Sequence, residues 1–198
     1  MGAATGLDAV GRLLDHASVL GGLPWSLQRL PAGTAFLRFD VPPPYGVVLM
    51  PARRRWRLII DTLGERAGEG LDVLVAPLRT DPASLIVRVT TLIGVAATDA
   101  GRNQDSAGAI VLGELSHRLA RRIGDASLGA MAADIVGSAH LRRGDSAEAL
   151  RWLRGARNQF LRVDDLLARE AEAKLRSARA VLGSASAYGE GSPEHQPS

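Results

Sequence analysis

The stretch Ile135–Arg157, IVGSAHLRRGDSAEALRWLRGAR, decides how the chain is read. Within it Gly137, His140, Gly144, Ala149, Leu153 and Ala156 follow one another at offsets of 3, 4, 5, 4 and 3. Steps of three and four return a residue to the same helix face, so the pattern describes two helices joined at Gly144. Glycine accepts the left-handed backbone that ends a helix. Asp145 offers the side-chain oxygen that caps the next one, and Glu148 completes a capping pair. Small residues at 137, 149 and 156 let the two helices approach closely.

Downstream the stripe continues through Phe160, Val163, Leu167, Ala171, Leu175, Ala178 and Leu182 at spacings of three or four. A break near Val163-Asp164-Asp165 divides it into two helices, and Gly183 supplies a stop. The tail 184–198, SASAYGEGSPEHQPS, has no periodicity and is rich in Ser, Gly and Pro, the composition of a disordered segment. Upstream, Gly94 and Gly101 reproduce the spacing of Gly137 and the turn Gly144, so Gly101 is expected to end a first helix, with Ile110 to Ile123 as a second.

These residues resemble the tetratricopeptide repeat (TPR) family. Val136-Gly137 stands in its Leu-Gly place, His140 in its aromatic place and Gly144 in its turn, while Ala149, Leu153 and Ala156 form the packing ridge. The match departs at Ala133, where a large aromatic is usual, and at Leu161, where many repeats carry Pro. Asp164-Asp165 corresponds to Gly124-Asp125 after a shift of 40 residues. The resemblance covers residues 84–182 and implies a mainly α fold, a TPR-like α-solenoid of about two and a half helix pairs. It also implies a concave face that binds a peptide or protein partner. Carried over, the inward positions are Met131, Asp134, Ser138, Leu141 and Arg142 in the best repeat, and Arg88, Thr91, Val95, Thr98 and Asp99 upstream. Asp134 and Ser138 occupy the places of the family's Lys and Asn carboxylate clamp, which speaks against recognition of a C-terminal carboxylate.

A competing reading exists for 127–141, which also alternates as a hairpin with Ile135, Gly137, Ala139 and Leu141 on one face. The order helix, strands, helix, hairpin, helix resembles the YbjN and type III secretion chaperone-like fold, an α+β dimer that also binds protein partners.

Residues 1–80 read as a small α+β segment. Leu7, Val10, Leu14, Ala17 and Leu20 make 5–21 an amphipathic helix. Within 25–50, Ala35, Leu37, Phe39 and Val41 alternate with polar and aromatic neighbours as in a half-buried strand, with WSLQRL and YGVVLM as partner strands. In 52–78, WRLIID and LDVLVAPL suit either strands or pieces of two short helices around the Gly64–Gly70 loop, and helix is favoured for 52–63. The division is therefore 1–80, helical repeats over 81–183, and the tail 184–198.

Composition narrows the function. Hydrophobic residues make up 46% of the 198 and charged ones 23%, values of a globular protein. The absence of Cys excludes disulfides, thiol nucleophiles and thiolate metal sites. The longest apolar stretch, Leu85 to Ala97, is shorter than the roughly 20 residues a bilayer requires, and the N-terminus lacks the pattern of a signal peptide. A cytoplasmic protein without membrane contact is expected. The pI of 10.1 accompanies a net charge of only +3, because all but one of the 24 basic residues are Arg.

No chemistry of catalysis is visible. The lone Lys174 has no Gly-rich loop before it, the four His residues are scattered, and no nucleophile elbow occurs. The expectation is a non-enzymatic interaction module without cofactor or metal, an adaptor, scaffold or regulatory subunit, with self-association into a homodimer as one way to protect the array's end. One feature supports another reading. Arg53, Arg54, Arg55 and Arg57 surround Trp56, a pattern that suits phosphate contacts and base stacking in a nucleic-acid-associated regulator. The same residues also suit a solvated turn whose Trp anchors the core.

Overall fold

A computed structural model describes Gly11 and residues 25–30, 34–40, 44–63 and 70–189. The expected helix 5–21 lies outside the described residues except for Gly11, which is helical and buried.

Five strands come first: β1 (Trp25–Leu30), β2 (Thr34–Phe39), β3 (Tyr45–Ala52), β4 (Arg55–Thr62) and β5 (Leu71–Pro77). They form one antiparallel sheet in sequence order, so β1 and β5 are its edges. Alternation decides the buried face. Leu37 stands opposite Val47, Val47 opposite Ile60 and Ile60 opposite Leu71, all on one side. With Phe39, Leu49, Trp56, Leu58 and Val75 this side makes the main core. The favoured helix at 52–63 is not formed: of the two readings of 52–78, the strands are the ones present, and the sheet runs to Pro77. In β4, Trp56, Leu58 and Ile60 are buried while Arg57, Ile59 and Asp61 face away, the period of a strand.

Five helices follow: α1 (Pro82–Arg102), α2 (Ser106–Ile123), α3 (Ala126–Arg142), α4 (Ser146–Phe160) and α5 (Asp165–Gly189). Residues 127–141 are thus helical, not a hairpin. Helix α1 roofs the sheet, placing Leu85, Val89, Ile93 and Ala97 in the core. Its full length of 21 residues, longer than the apolar stretch alone, makes it the one described helix long and apolar enough to cross a membrane. The break between α4 and α5 falls at 161–164, as the sequence implies, but α5 passes Gly183 without interruption, so 184–189 are helical and not tail.

Three inter-helix turns share one geometry at intervals of 20 residues. The N–H of Asp105, Asp125 and Asp145 donates to Ala100 O, Ala120 O and His140 O, each at 2.9 Å. The residue before each Asp has positive φ: Gln104 at 61°, Gly124 at 74° and Gly144 at 82°. This hydrogen bond, closing over a left-handed residue, reverses the chain after each helix. Asp81, Asp105 and Asp125 then cap the next helix by accepting the N–H of Ser84, Gly108 and Leu128, each at 2.9 Å, and Asp164 accepts those of Leu166 and Leu167. Asp145 makes no such cap and leans toward His140 Nδ1 at 3.3 Å.

Each helix packs on the next, and small residues set how closely. A Cβ on Gly94 of α1 would lie 3.1 Å from Ser116 Oγ of α2, one on Gly113 of α2 would lie 2.7 Å from Val136 Cγ2 of α3, and one on Gly137 of α3 would lie 2.7 Å from Leu153 Cγ of α4. Between α4 and α5, Ala156, Ala168 and Ala171 do the same work.

Candidate partner-binding groove

Alternate helices meet across the array: α1 touches α3, and α3 touches α5. Because α1 gives Leu85, Val89, Ile93 and Ala97 to the core, its opposite face is open, and it carries the expected positions Arg88, Thr91, Val95 and Asp99, all exposed, with Thr98 half-buried. The hydroxyls of Thr91 and Thr98 donate to Val87 O and Gly94 O, so these residues present their methyl sides. On α3, Met131 is 48% exposed and Arg142 is exposed, while Asp134 and Ser138 are half-buried. The Arg142 guanidinium reaches α1, where a Cβ on Gly101 would lie 3.1 Å from its Nη2. Leu141 departs from its expected place: it packs against Leu153 of α4 and Leu175 of α5 and belongs to the core between helices.

From α5, Lys174 donates to Asp134 Oδ2. The second carboxylate oxygen of Asp134 and the hydroxyl of Ser138, one turn away, are buried without a hydrogen-bond partner. Val181, two turns on from Lys174 and on its face, is exposed. The open side of α1, α3 and α5 thus combines apolar contact points (Val95, Met131, Val181) with charges of both signs. Lys174 was not among the expected positions. The signal for it was present, since it stands 40 residues after Asp134, the interval already found for the repeat.

A second polar group lies among α2, α3 and α4. His117 Nδ1 donates to Gly129 O at 2.8 Å, its ring stands edge-on to Trp152 with centroids 5.3 Å apart, and Arg151 lies over the Trp152 ring. In the sequence the neighbours Arg118, Arg121 and Arg122 put His117 on an exposed helix face; burial instead holds its pKa down, aided by Arg121 and Arg118. Glu114 and Arg118 pair at 2.8 Å with side chains only 14% and 15% exposed. Burial pushes the Glu114 carboxyl up, against the pull of Arg118 and His140, and lowers Arg118. These contacts tie three helices together.

The arginine cluster is split by the strand period. Trp56 is 1% exposed in the sheet core, so it cannot stack on a base, and Arg57 on the other face pairs with Asp72, Nε to Oδ1 at 2.8 Å. Arg53, Arg54 and Arg55 remain exposed at the hairpin tip. Among the described residues no cluster of three or more His, Asp or Glu is placed to hold a metal. No family model matches the chain, and neither a curated protein nor a solved structure is significantly similar to it.

Proposed function

We propose that the chain is a non-enzymatic protein-interaction module, and that α1 to α5 form a TPR-like α-solenoid of about two and a half helix pairs. A peptide or protein partner binds along the open side of α1, α3 and α5. The observation that carries this reading is the contact of alternate helices, which brings the open faces of α1 and α3 to one side with Lys174 of α5 beside Asp134. A solenoid offers its first-helix side chains as an extended surface of this kind. The outer side of α5 supports the same reading. Arg169, Glu170, Arg176 and Arg179 are exposed on this helix, charged side chains suited to terminating an array.

The test places a photo-crosslinking amino acid at Val95 or Met131, and at Arg154 on α4 as control. Partners recovered from the two groove positions and not from Arg154 are then assayed with the purified chain. The reading expects the variant Val95→Glu/Met131→Glu to lose about tenfold or more in affinity. Unchanged affinity, or crosslinks from Arg154 alone, overturns it.

A further inference from the structure

We propose that the β3–β4 hairpin tip is a separate docking site for an acidic peptide segment that carries apolar side chains. Arg53, Arg54 and Arg55 are consecutive, exposed and without an ion-pair partner; among the described residues the ion pairs of the sheet are Arg38–Asp40 and Arg57–Asp72. A hollow of about 800 Å³ opens beside them, lined by Ala52, the three tip arginines, Arg57, Asp72 and Leu74. Leu74 is 56% exposed and stands directly across from Arg57 in the ladder, so an apolar floor lies under an uncompensated positive rim. The hollow thus offers an apolar contact at Leu74 beside guanidinium groups that have no ion-pair partner among the described residues.

The backbone adds an independent observation. Ala52 and Arg55 pair across a two-residue turn, and Arg53, its first residue, has φ 56° while Arg54 has no positive φ. Hairpin turns with that signature ordinarily place Gly first. An arginine held there keeps its charge at the tip at the expense of backbone strain, the kind of strain that collects at functional positions.

Charge complementarity selects the occupant. Guanidinium groups form paired hydrogen bonds with carboxylates, and an apolar side chain between acidic ones would rest on Leu74. Nucleic acid fits less well. Its binding rests on many phosphate contacts and, for single strands, on aromatic stacking, and the tip offers three charges with Trp56 turned into the core. A peptide can also run beside β5, which ends the sheet, since among the described residues no strand pairs with its outer edge.

The experiment measures fluorescence anisotropy of labelled short peptides with the full chain: alternating Glu-Leu, alternating Glu-Ser and alternating Lys-Leu, together with duplex and single-stranded DNA. The Glu-Leu peptide is expected to bind best, to weaken about tenfold with Arg53→Ala/Arg54→Ala/Arg55→Ala, and to weaken with Leu74→Ser. Arg54→Gln alone, a change that leaves the positive-φ residue Arg53 in place, is expected to weaken it in the same direction. No binding of Glu-Leu, binding indifferent to these variants, or equal binding of Glu-Ser or DNA overturns the proposal.

Discussion

Gly137 and Leu153 are in contact through the absence of a side chain: a Cβ at 137 would meet Leu153 Cγ at 2.7 Å and the Leu153 backbone N at 3.1 Å. Two opposed effects act on Gly137→Ala. Helix propensity alone favours Ala by about 1 kcal/mol. Overpacking against a backbone atom that cannot move costs about 1–3 kcal/mol. The second wins, so a urea melt should show net destabilisation. At Gly155, where open space surrounds the Cβ position, the same substitution should be neutral or stabilising.

The helix caps differ in kind. Asp125 accepts the Leu128 N–H, whereas Asp145 makes no side-chain cap. Asp125→Ala should therefore cost about 1 kcal/mol, and Asp145→Ala clearly less, because Asp145 gives up only contacts to His140 and Arg143 at the surface. Equal losses in chemical denaturation would show that the two turns depend on these aspartates through something other than capping.

His117 makes the fold sensitive to mild acid. Its folded pKa is lowered, first by burial, so the unfolded chain binds the proton more readily. Its contribution is complete above about pH 6.5, the ordinary histidine value, and is lost as pH falls below it. Glu114 works in the opposite sense. Its raised folded pKa penalises the ionised form, and that penalty fades as pH falls toward about 4.5. Comparing melting temperatures at about pH 7.5 and about pH 5.5, the His117→Gln variant should show a smaller drop than the parent chain. An identical drop would place the acid sensitivity elsewhere.

Arg53→Gly should raise stability by about 1 kcal/mol, because Gly adopts positive φ without steric cost. A thermal melt checks this directly. Lower stability in the variant would mean that the Arg53 side chain contributes to folding and that the turn is not strained.

The helical half was legible from residue 84 onward because its signals agree: apolar spacing of three and four, then Gly-Asp at the turns 124–125 and 144–145. The first turn was misplaced at Gly101, which lies inside α1, because its left-handed residue is Gln104 and not a glycine. Strand β2 was legible from Ala35, Leu37 and Phe39. Strand β4 was not, since Trp56, Leu58, Ile59 and Ile60 form a short apolar run in which strand and helix patterns coincide. Gly183 suggested an end, yet it stands in open space where a helix tolerates glycine, so α5 continues. On the open side of the helices, the α1 positions and Met131, Asp134, Ser138 and Arg142 come from the resemblance to the TPR family. Leu141 comes from it too and is misplaced, because its neighbours come from α5, whose angle to α3 no local pattern encodes. The burial of His117 was hidden by Arg118, Arg121 and Arg122, whose charges suggested water on a face where Arg118 itself is covered.

Helix α1 belongs to two structures at once, closing the β-sheet with Ile93 and offering Val95 to the outside. A load applied to the exposed residues is therefore borne by the whole β-layer, whose interior α1 and α2 complete. Heating should accordingly abolish the strand and helix signals of the intact chain together, as a single cooperative event.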